Sequence, residues 1–212
     1  MDLAAFRAAG GVEDWRLLGS GLHARYRCSS LAEATRFAAA VVDGLSGTDR
    51  APDLDLRATS VTVRIPEHED AFLEATDLPL ARRIQEVARG QGLEPDPASL
   101  RSIQIAVAHA EGVEVDGFWR AVLGYVPVGD EDARDPENRG PRLWFHPIEG
   151  DRPGRGRTHI DVYVPEEQAE GIVAAAVAAG GRVADDSHAP AWWTLASPDN
   201  HGVDIAPWPD RG

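Results

Sequence analysis

The stretch HIDVYVPEEQAEGIVAAAVAAGG, residues 159–181, decides the fold of the C-terminal half. Its first part alternates between polar and apolar residues, which predicts a half-buried strand. Its second part begins with proline and two glutamates and ends at Gly180 and Gly181. Proline and acidic residues are typical of the first turn of a helix, and glycine is typical of the position after its C-cap. The stretch therefore predicts a strand followed directly by a helix.

The same order of elements occurs earlier in this half. Residues 102–108 (SIQIAVA) predict a strand, and residues 118–125 (FWRAVLGY) predict a short helix with a glycine near its end. Each strand–helix pair is followed by short strand patterns, at residues 142–146 after the first pair and at residues 192–195 and 202–206 after the second. The sequence of the C-terminal half thus predicts two consecutive βαβββ units.

Alternation places many polar and aromatic side chains on one face of these strands. If the apolar face packs on helices, both units share the other face, which then carries Gln104, Trp144, His146, His159, Asp161, Tyr163 and Asp204. Such a face, when concave, predicts a small-molecule pocket; a merely solvated face is the alternative. Gln, His and Asp are also ligands of divalent metals, although a hydrogen-bonded pocket without a metal explains the pattern more simply.

Four motifs carry a resemblance over about residues 100–208. They are residues 118–125, 157–162 (RTHIDV), 179–182 (AGGR) and 193–200 (WTLASPDN), and they resemble the glyoxalase and bleomycin-resistance branch of the vicinal oxygen chelate superfamily. The resemblance implies two modules forming a cupped sheet, often with a metal held by one residue from each of four strands.

The resemblance also implies a set of metal ligands. Gln104, His159 and Asp204 fall at three of the four positions, and the fourth falls on Trp144 or His146. The superfamily contains isomerases, dioxygenases and binding proteins, so fold alone does not select the activity.

The N-terminal half alternates strand and helix patterns. Strands are predicted at residues 22–27 and 61–65, and helices are predicted after the capping box at Ser30 and from Thr76 to Gly90. Two antiparallel hairpins with two helices on one face would bury these apolar stripes. His23 falls on the polar strand face, where we expect it to be solvated.

The chain is predicted to be an α+β protein of two domains. Residues 90–98 are rich in Gly, Pro and acidic residues, which indicates a linker. We place an antiparallel sheet with two helices on one face in residues 1–95, and the paired βαβββ domain in residues 99–212.

Charge and composition exclude several classes of function. The net charge of −14 argues against binding to nucleic acid or an anionic membrane. All 21 basic residues are arginines, which excludes lysine Schiff-base chemistry. Cys28 is the single cysteine, which excludes internal disulfides and thiolate zinc clusters. The absence of a signal-peptide pattern at the start predicts a cytoplasmic protein.

A spaced pattern of residues runs through the N-terminal half. Residues 50–54 (RAPDL) precede the predicted strand at residues 61–65, His68 follows that strand, and Asp77 comes nine residues after His68 and begins DLPLA. Over residues 3–92 the chain resembles pterin-4a-carbinolamine dehydratase, with RAPDL at the family's His-His-Pro start and His68 at its third histidine. Arg50 and Ala51 replace two histidines that the family uses to bind the pterin and move protons. The resemblance implies a lyase with an altered site, and a homodimer because relatives self-associate.

The dehydration removes a hydroxyl from C4a of a tetrahydropterin. The leaving oxygen needs a proton and the ring nitrogen loses one, tasks that histidine performs near neutral pH. His68 and Asp77 are the predicted acid–base pair, and the permanently charged Arg50 is predicted to bind a carbonyl or anionic group of the ligand. The alternatives are a metal-dependent isomerase or dioxygenase in the second domain, and non-catalytic binding of a small ligand there.

Overall fold

The computed structural model describes residues 3–45, 50–68, 73–109, 116–148, 158–196 and 202–207. The chain forms two compact α+β units, Met1–Leu100 and Arg101–Gly212. Within the described ranges, no helix is long and apolar enough to cross a membrane.

The first unit is built on one antiparallel sheet. Its elements in chain order are α1 (Leu3–Ala8), β1 (Arg16–Leu18), β2 (Gly21–Arg27), α2 (Leu31–Gly44), β3 (Asp53–Arg57), β4 (Ser60–Pro66), α3 (Asp77–Gly90), β5 (Glu94–Pro95) and a 3-10 turn at Pro97–Ser99. The strand order is β1-β2-β4-β3, and β5 pairs with β2 at the end away from β1. The predicted antiparallel sheet is confirmed.

Alternate side chains of β2 and β4 form the core with the helices. Tyr26 of β2 is fully buried, and its ring lies 5.5 Å from the ring of Phe37 on α2. The N-terminus of α2 is capped by Ser30, whose hydroxyl accepts a hydrogen bond from the backbone N–H of Glu33 at 3.3 Å. Truncating Phe37 to alanine would cost about 3–5 kcal/mol, because a void would remain between helix and sheet.

Gly21 is required where β2 begins. Its φ of +120° lies in the region that glycine alone tolerates well, and a Cβ there would lie 2.2 Å from the carbonyl oxygen of Ile65. Close approach of these two backbones aligns the start of β2 with the end of β4, from which the chain runs towards His68.

The segment predicted as a linker is attached to the first sheet. Glu94 and Pro95 pair with Arg27 and Tyr26, and the backbone N–H of Asp96 donates to the carbonyl of Arg25 at 2.7 Å. The Asp96 carboxylate also pairs with the guanidinium groups of Arg25 at 3.3 Å and Arg27 at 3.4 Å. Burial opposes ionisation of Asp96, but hydrogen bonds and these two cations lower its pKa overall. Gly and Pro in this segment therefore shape turns and an edge strand.

The expectation that His23 is solvated is wrong. The residue is 7% exposed, and its Nε2 lies 3.1 Å from the hydroxyl of Ser20. Burial and the charge of Arg64, its partner on β4, lower the pKa of His23 to about 3. A polar position in an alternating strand was mistaken for a solvated one because the pattern does not show what covers that face.

The second unit contains the predicted pair of modules. Its elements are β6 (Ser102–His109), α4 (Asp116–Leu123), β7 (Val126–Val128), β8 (Asp132–Arg134), β9 (Arg142–Pro147), β10 (Thr158–Tyr163), α5 (Glu166–Ala178), β11 (Arg182–Asp185), β12 (Trp193–Ala196) and β13 (Gly202–Ala206). The sheet order is β11-β12-β13-β10-β6-β9-β8-β7. Arg157 and residues 197–200 of the sequence motifs lie outside the described residues.

The two modules meet through their first strands. β6 and β10 are antiparallel at the centre, β9 runs parallel to β6, and β13 runs parallel to β10. Apolar side chains on one face form a core cluster for each module, around Phe145 in the first and around Ile205 near α5 in the second. The polar side chains that alternate with them share the other face.

Candidate functional site

The first candidate site is centred on the carboxylate of Asp77, the first residue of α3. Its side chain is 2% exposed. Its Oδ2 lies 2.8 Å from Nε2 of His68 and accepts a hydrogen bond from the backbone N–H of Glu74 at 2.9 Å, while its Oδ1 accepts one from Nε of Arg50 at 3.1 Å. The structure therefore brings together the three residues that the sequence predicted for this site.

Strand pairing explains how these residues meet. β3 begins at Asp53, which pairs with Arg64 near the end of β4, so Arg50 reaches the place where the chain leaves β4 towards His68. Asp77 lies in the first turn of α3, where the positive end of the helix dipole favours a carboxylate. Three separate segments are thus fixed around one carboxylate.

His68 contacts a carboxylate on each side of its ring. Nε2 faces Asp77, and Nδ1 lies 3.5 Å from a carboxylate oxygen of Glu74, which is half exposed. The His68 side chain itself is 17% exposed. Asp77 can orient the imidazole while the other ring nitrogen lies towards a more accessible carboxylate, an arrangement suited to proton transfer. Glu74 was missed because nothing in its sequence context separates it from other surface acids.

Arg50 is held by groups of the protein. Besides the contact with Asp77, its guanidinium donates to the backbone carbonyl of Pro66. The side chain is 32% exposed. A guanidinium cannot exchange protons at neutral pH, so its contribution here is to hold the charge and position of Asp77. Its predicted contact with a ligand stays a prediction.

The second candidate site lies on the polar face of β10 and β13. His159 Nε2 lies 3.1 Å from Oδ1 of Asp161 and 3.6 Å from Oδ2 of Asp204. Asp161 and Asp204 are direct partners on the parallel strands, and the side chain of Asp161 is 2% exposed. One ligand-type atom from each of the three residues lies within 4.8 Å of the others.

Gln104 belongs to a neighbouring hydrogen-bond network. Its Oε1 accepts from the hydroxyl of Tyr163 at 2.8 Å, and its Nε2 donates to Asp132 at 2.9 Å. The other oxygen of Asp132 accepts from Arg142 at 3.2 Å. Arg142 could have been found from sequence, because alternation puts it on the face of Trp144, whereas Asp132 lies in a turn-rich stretch without a clear period.

Aromatic rings border the His159 cluster. The Trp144 and His146 rings stack at 4.3 Å, and the His159 ring lies 5.6 Å from that of His146 and 6.2 Å from that of Trp144. Trp144 Nε1 donates to a carboxylate oxygen of Glu131 at 3.1 Å. This surface offers flat apolar area beside charged groups, as small-molecule sites commonly do.

The donors present suit a divalent metal, but the set differs from the one that the superfamily resemblance implies. One imidazole and two carboxylates match the preferences of Mn, Fe or Zn. Gln104 is engaged through both ends of its amide, and indole nitrogen is a donor only, so Trp144 offers no lone pair. Asp161, which the sequence assigned to substrate, joins His159 and Asp204.

Comparisons with known proteins agree with this two-part architecture. The family model of pterin 4 alpha carbinolamine dehydratase matches residues 3–87, and that of a glyoxalase-like domain matches residues 104–206. No curated protein matches the chain. The chain therefore consists of a pterin 4 alpha carbinolamine dehydratase-like domain followed by a glyoxalase-like domain.

Proposed function

We propose that the first domain is a hydro-lyase that dehydrates a 4a-hydroxytetrahydropterin through His68 and Asp77. The observation that carries the proposal is the 2.8 Å contact between His68 Nε2 and the buried Asp77 carboxylate. It lies within a region that matches the dehydratase family model, which supports this substrate class.

The reaction is a loss of water with no redox change. The C4a–O bond breaks, a proton goes to the departing oxygen, and a proton leaves the ring nitrogen beside C4a. A single histidine can give the first proton and regain the second, so His68 can act in both steps while Asp77 keeps its ring oriented. Arg50 holds Asp77 in place and moves no proton.

Replacing the family's two histidines alters this site. A general acid or base contributes about 10²–10⁴-fold to a rate, so a site that works with His68 alone should be slower than one with three histidines. We therefore propose a working but weakened dehydratase, in a cytoplasmic protein that forms a homodimer as the family resemblance implies.

The experiment measures dehydration of a 4a-hydroxytetrahydropterin by the full-length protein in stopped flow. The His68→Ala variant should lose about 10²–10⁴-fold of the catalysed rate. His188→Ala is the matched control, because His188 is an exposed histidine of the second domain that stacks on Trp192. A wild-type rate equal to the uncatalysed rate, or equal loss in both variants, would refute the proposal.

A second candidate function concerns the glyoxalase-like domain. We propose that its polar sheet face binds a small oxygenated molecule, because Trp144, His146 and His159 form an aromatic border beside two carboxylates. Metal-dependent isomerisation or dioxygenation and non-catalytic binding are the two versions of this function. Ligands that bind the folded state raise its thermal stability, so a thermal-shift survey of pterins and oxygenated aromatic compounds tests it.

The survey needs a variant that removes the aromatic border. Trp144→Ala should abolish any shift that depends on this face while leaving the dehydration rate of the first domain unchanged. A shift that persists in Trp144→Ala, or no shift with any compound, would count against this second function.

A further inference from the structure

Glu74 is fixed beside His68 by the turn that holds Asp77. Its backbone N–H donates to Oδ2 of Asp77 at 2.9 Å, and its carbonyl accepts a hydrogen bond from the backbone N–H of Asp77 at 3.1 Å. Its side chain is tethered as well, because Oε2 accepts a hydrogen bond from the Thr76 hydroxyl at 3.3 Å. The other carboxylate oxygen, Oε1, lies 3.5 Å from Nδ1 of His68. The position of this carboxylate beside the imidazole is therefore built into the start of α3.

The two ring nitrogens of His68 have different roles. Nε2 lies 2.8 Å from the Asp77 carboxylate, which can only accept, so this nitrogen keeps its hydrogen whether the ring is neutral or charged. Nδ1 is therefore the nitrogen that gains and loses a proton, and it is the one that faces Glu74. A separation of 3.5 Å is long for a hydrogen bond, but such contacts in catalytic sites shorten when the substrate binds.

Burial separates the two carboxylates that the described residues bring to His68. The side chain of Asp77 is 2% exposed, whereas that of Glu74 is 50% exposed, so a bound molecule can reach Glu74 but not Asp77. Arg50 is also accessible, but its guanidinium cannot take up a proton at neutral pH. Among these contacting groups, Glu74 combines accessibility to a ligand with the ability to accept a proton.

We propose that Glu74 is a second catalytic residue of the dehydration, the base that takes the proton from the ring nitrogen of the substrate while His68 acts as the acid. The inference rests on the function proposed above for the first domain. It assigns to a carboxylate one of the proton transfers that Arg50 and Ala51, at the positions of two family histidines, cannot perform.

The proton transfers form a closed cycle. Nδ1 of protonated His68 gives its proton to the departing oxygen as the C4a–O bond breaks, and the bonding electron pair leaves with the oxygen as water. The N–H bond of the neighbouring ring nitrogen then breaks, its electron pair forms the C=N bond to C4a, and its proton goes to Glu74. Passage of that proton from Oε1 to Nδ1 across their contact restores both groups. With a separate base, His68 need not reach both reacting atoms.

The test measures dehydration of a 4a-hydroxytetrahydropterin by full-length Glu74→Gln in stopped flow. Glutamine keeps the size of the side chain and an oxygen that can accept from the Thr76 hydroxyl, but it cannot serve as a base. We expect kcat to fall by about 10²-fold, the lower end of what a general base contributes because His68 can still regain the proton, with a smaller change in KM. Glu86→Gln should keep the wild-type rate, since Glu86 is an exposed glutamate on α3 of the same domain.

Two further variants separate proton transfer from positioning of His68. Glu74→Asp keeps a carboxylate and should retain more activity than Glu74→Gln. Formate, a small carboxylate, should restore part of the rate of Glu74→Ala and leave the rate of His68→Ala unchanged. A rate of Glu74→Ala that does not respond to formate would overturn the assignment of Glu74 as the base.

The outcomes distinguish this inference from the function on which it rests. A wild-type rate equal to the uncatalysed rate would overturn both. Wild-type catalysis with an equal kcat in Glu74→Gln would overturn only the role of Glu74, and His68 would then perform both transfers. Urea unfolding of each variant should match that of the wild type. If Glu74→Gln unfolds more easily, the rates of Glu74→Asp and of Glu74→Ala with formate decide the role.

Discussion

Asp77 in the first domain and Asp161 in the second are both almost completely buried, but different charged groups contact them. Asp77 contacts one permanent cation, Arg50, and one histidine. Asp161 shares a single histidine with a second carboxylate, Asp204. Asp77 is thus held against a permanent cation, whereas Asp161 lies beside a second carboxylate and an imidazole that contacts both. The first arrangement suits a preorganised acid–base pair, and the second brings together donors of the kind that polar small molecules and metals use.

The largest expected effect on stability comes from removing the negative charge of Asp77, which lies against Arg50. Asp77→Asn removes the buried negative charge that Arg50 and His68 both contact. Removing one partner of an ion pair costs about 3–5 kcal/mol when both partners are buried. Because Arg50 is about one-third exposed, we expect the lower end of this range. The dehydration rate should also fall by about 10²–10⁴-fold.

Urea unfolding and stopped-flow dehydration of Asp77→Asn measure the two effects. Asp55→Asn is the matched control, since Asp55 is an exposed aspartate on β3 of the same domain. Equal stability of Asp77→Asn and the control would show that Asp77 is not held by its cations as described.

The matching change in the second domain should have little effect on stability. In chelator-treated protein, Asp161→Asn removes one of two carboxylates that face each other across His159, so like-charge repulsion falls. We expect Tm to rise or to fall by no more than about 2 °C, which is below about 1 kcal/mol for a chain of this size. A large fall in Tm without metal would mean that the two buried carboxylates are compensated alike.

The surroundings of His23 differ from those of His68. His23 lies beside a hydroxyl and an arginine, whereas His68 lies between two carboxylates. The pKa of His23 is lowered to about 3 in the folded protein from an ordinary value of 6.5. The unfolded chain therefore takes up a proton first as pH falls, so stability is lost between about pH 6.5 and 3, by at most about 1.4 kcal/mol per pH unit.

His23→Gln should abolish this part of the pH dependence. The unfolding free energies of wild type and variant should converge or cross as pH falls from 7 to 4, measured by urea unfolding at several pH values. His188→Gln, an exposed histidine, should run parallel to wild type. Parallel curves for His23→Gln would contradict the burial of His23.

The smallest effect concerns Asp14, a buried carboxyl beside a phenol. Its Oδ2 accepts a hydrogen bond from Tyr26 at 3.4 Å, and burial raises its pKa despite the nearby Arg89. The folded state holds the proton longer than the unfolded chain, so its stability declines as pH rises above about 4. Thermal unfolding measures this effect as the Tm of Asp14→Asn minus the Tm of the wild type. The difference should be more positive at pH 7 than at pH 4. A difference in Tm that does not change with pH would contradict this.

Strand periodicity predicted the fold better than it predicted which side chains meet in the candidate sites. The alternation in residues 102–108 and 159–164 was enough to separate the apolar face from the polar face, because a side-chain period of two leaves few alternatives. It did not show that Ile103 and Ile160 on the apolar face stay about half exposed. The grouping of Arg50, His68 and Asp77 was predicted from family resemblance. The Arg50–Asp77 ion pair was not, because a sequence does not show which charges face each other.

The site around His159 shows more clearly that sequence alone does not reveal which side chains contact each other. Gln104, His159 and Asp161 were all placed on the correct face, but which of them converge depends on side-chain directions set by neighbouring strands. Asp132, which holds Gln104, comes from a turn-rich stretch whose sequence has no period to interpret. Pairing between distant strands, invisible in local patterns, decides the chemistry there.

The attachment of residues 94–96 to β2 has a practical consequence for dividing the protein. A fragment that stops at residue 92 would strip the edge from one end of the first sheet, and Arg25 and Arg27 would lose the acid that faces both of them. Exposed strand edges favour aggregation, so such a fragment would behave poorly for reasons unrelated to its catalytic groups. Expression of the separate dehydratase-like half should instead extend through Leu100.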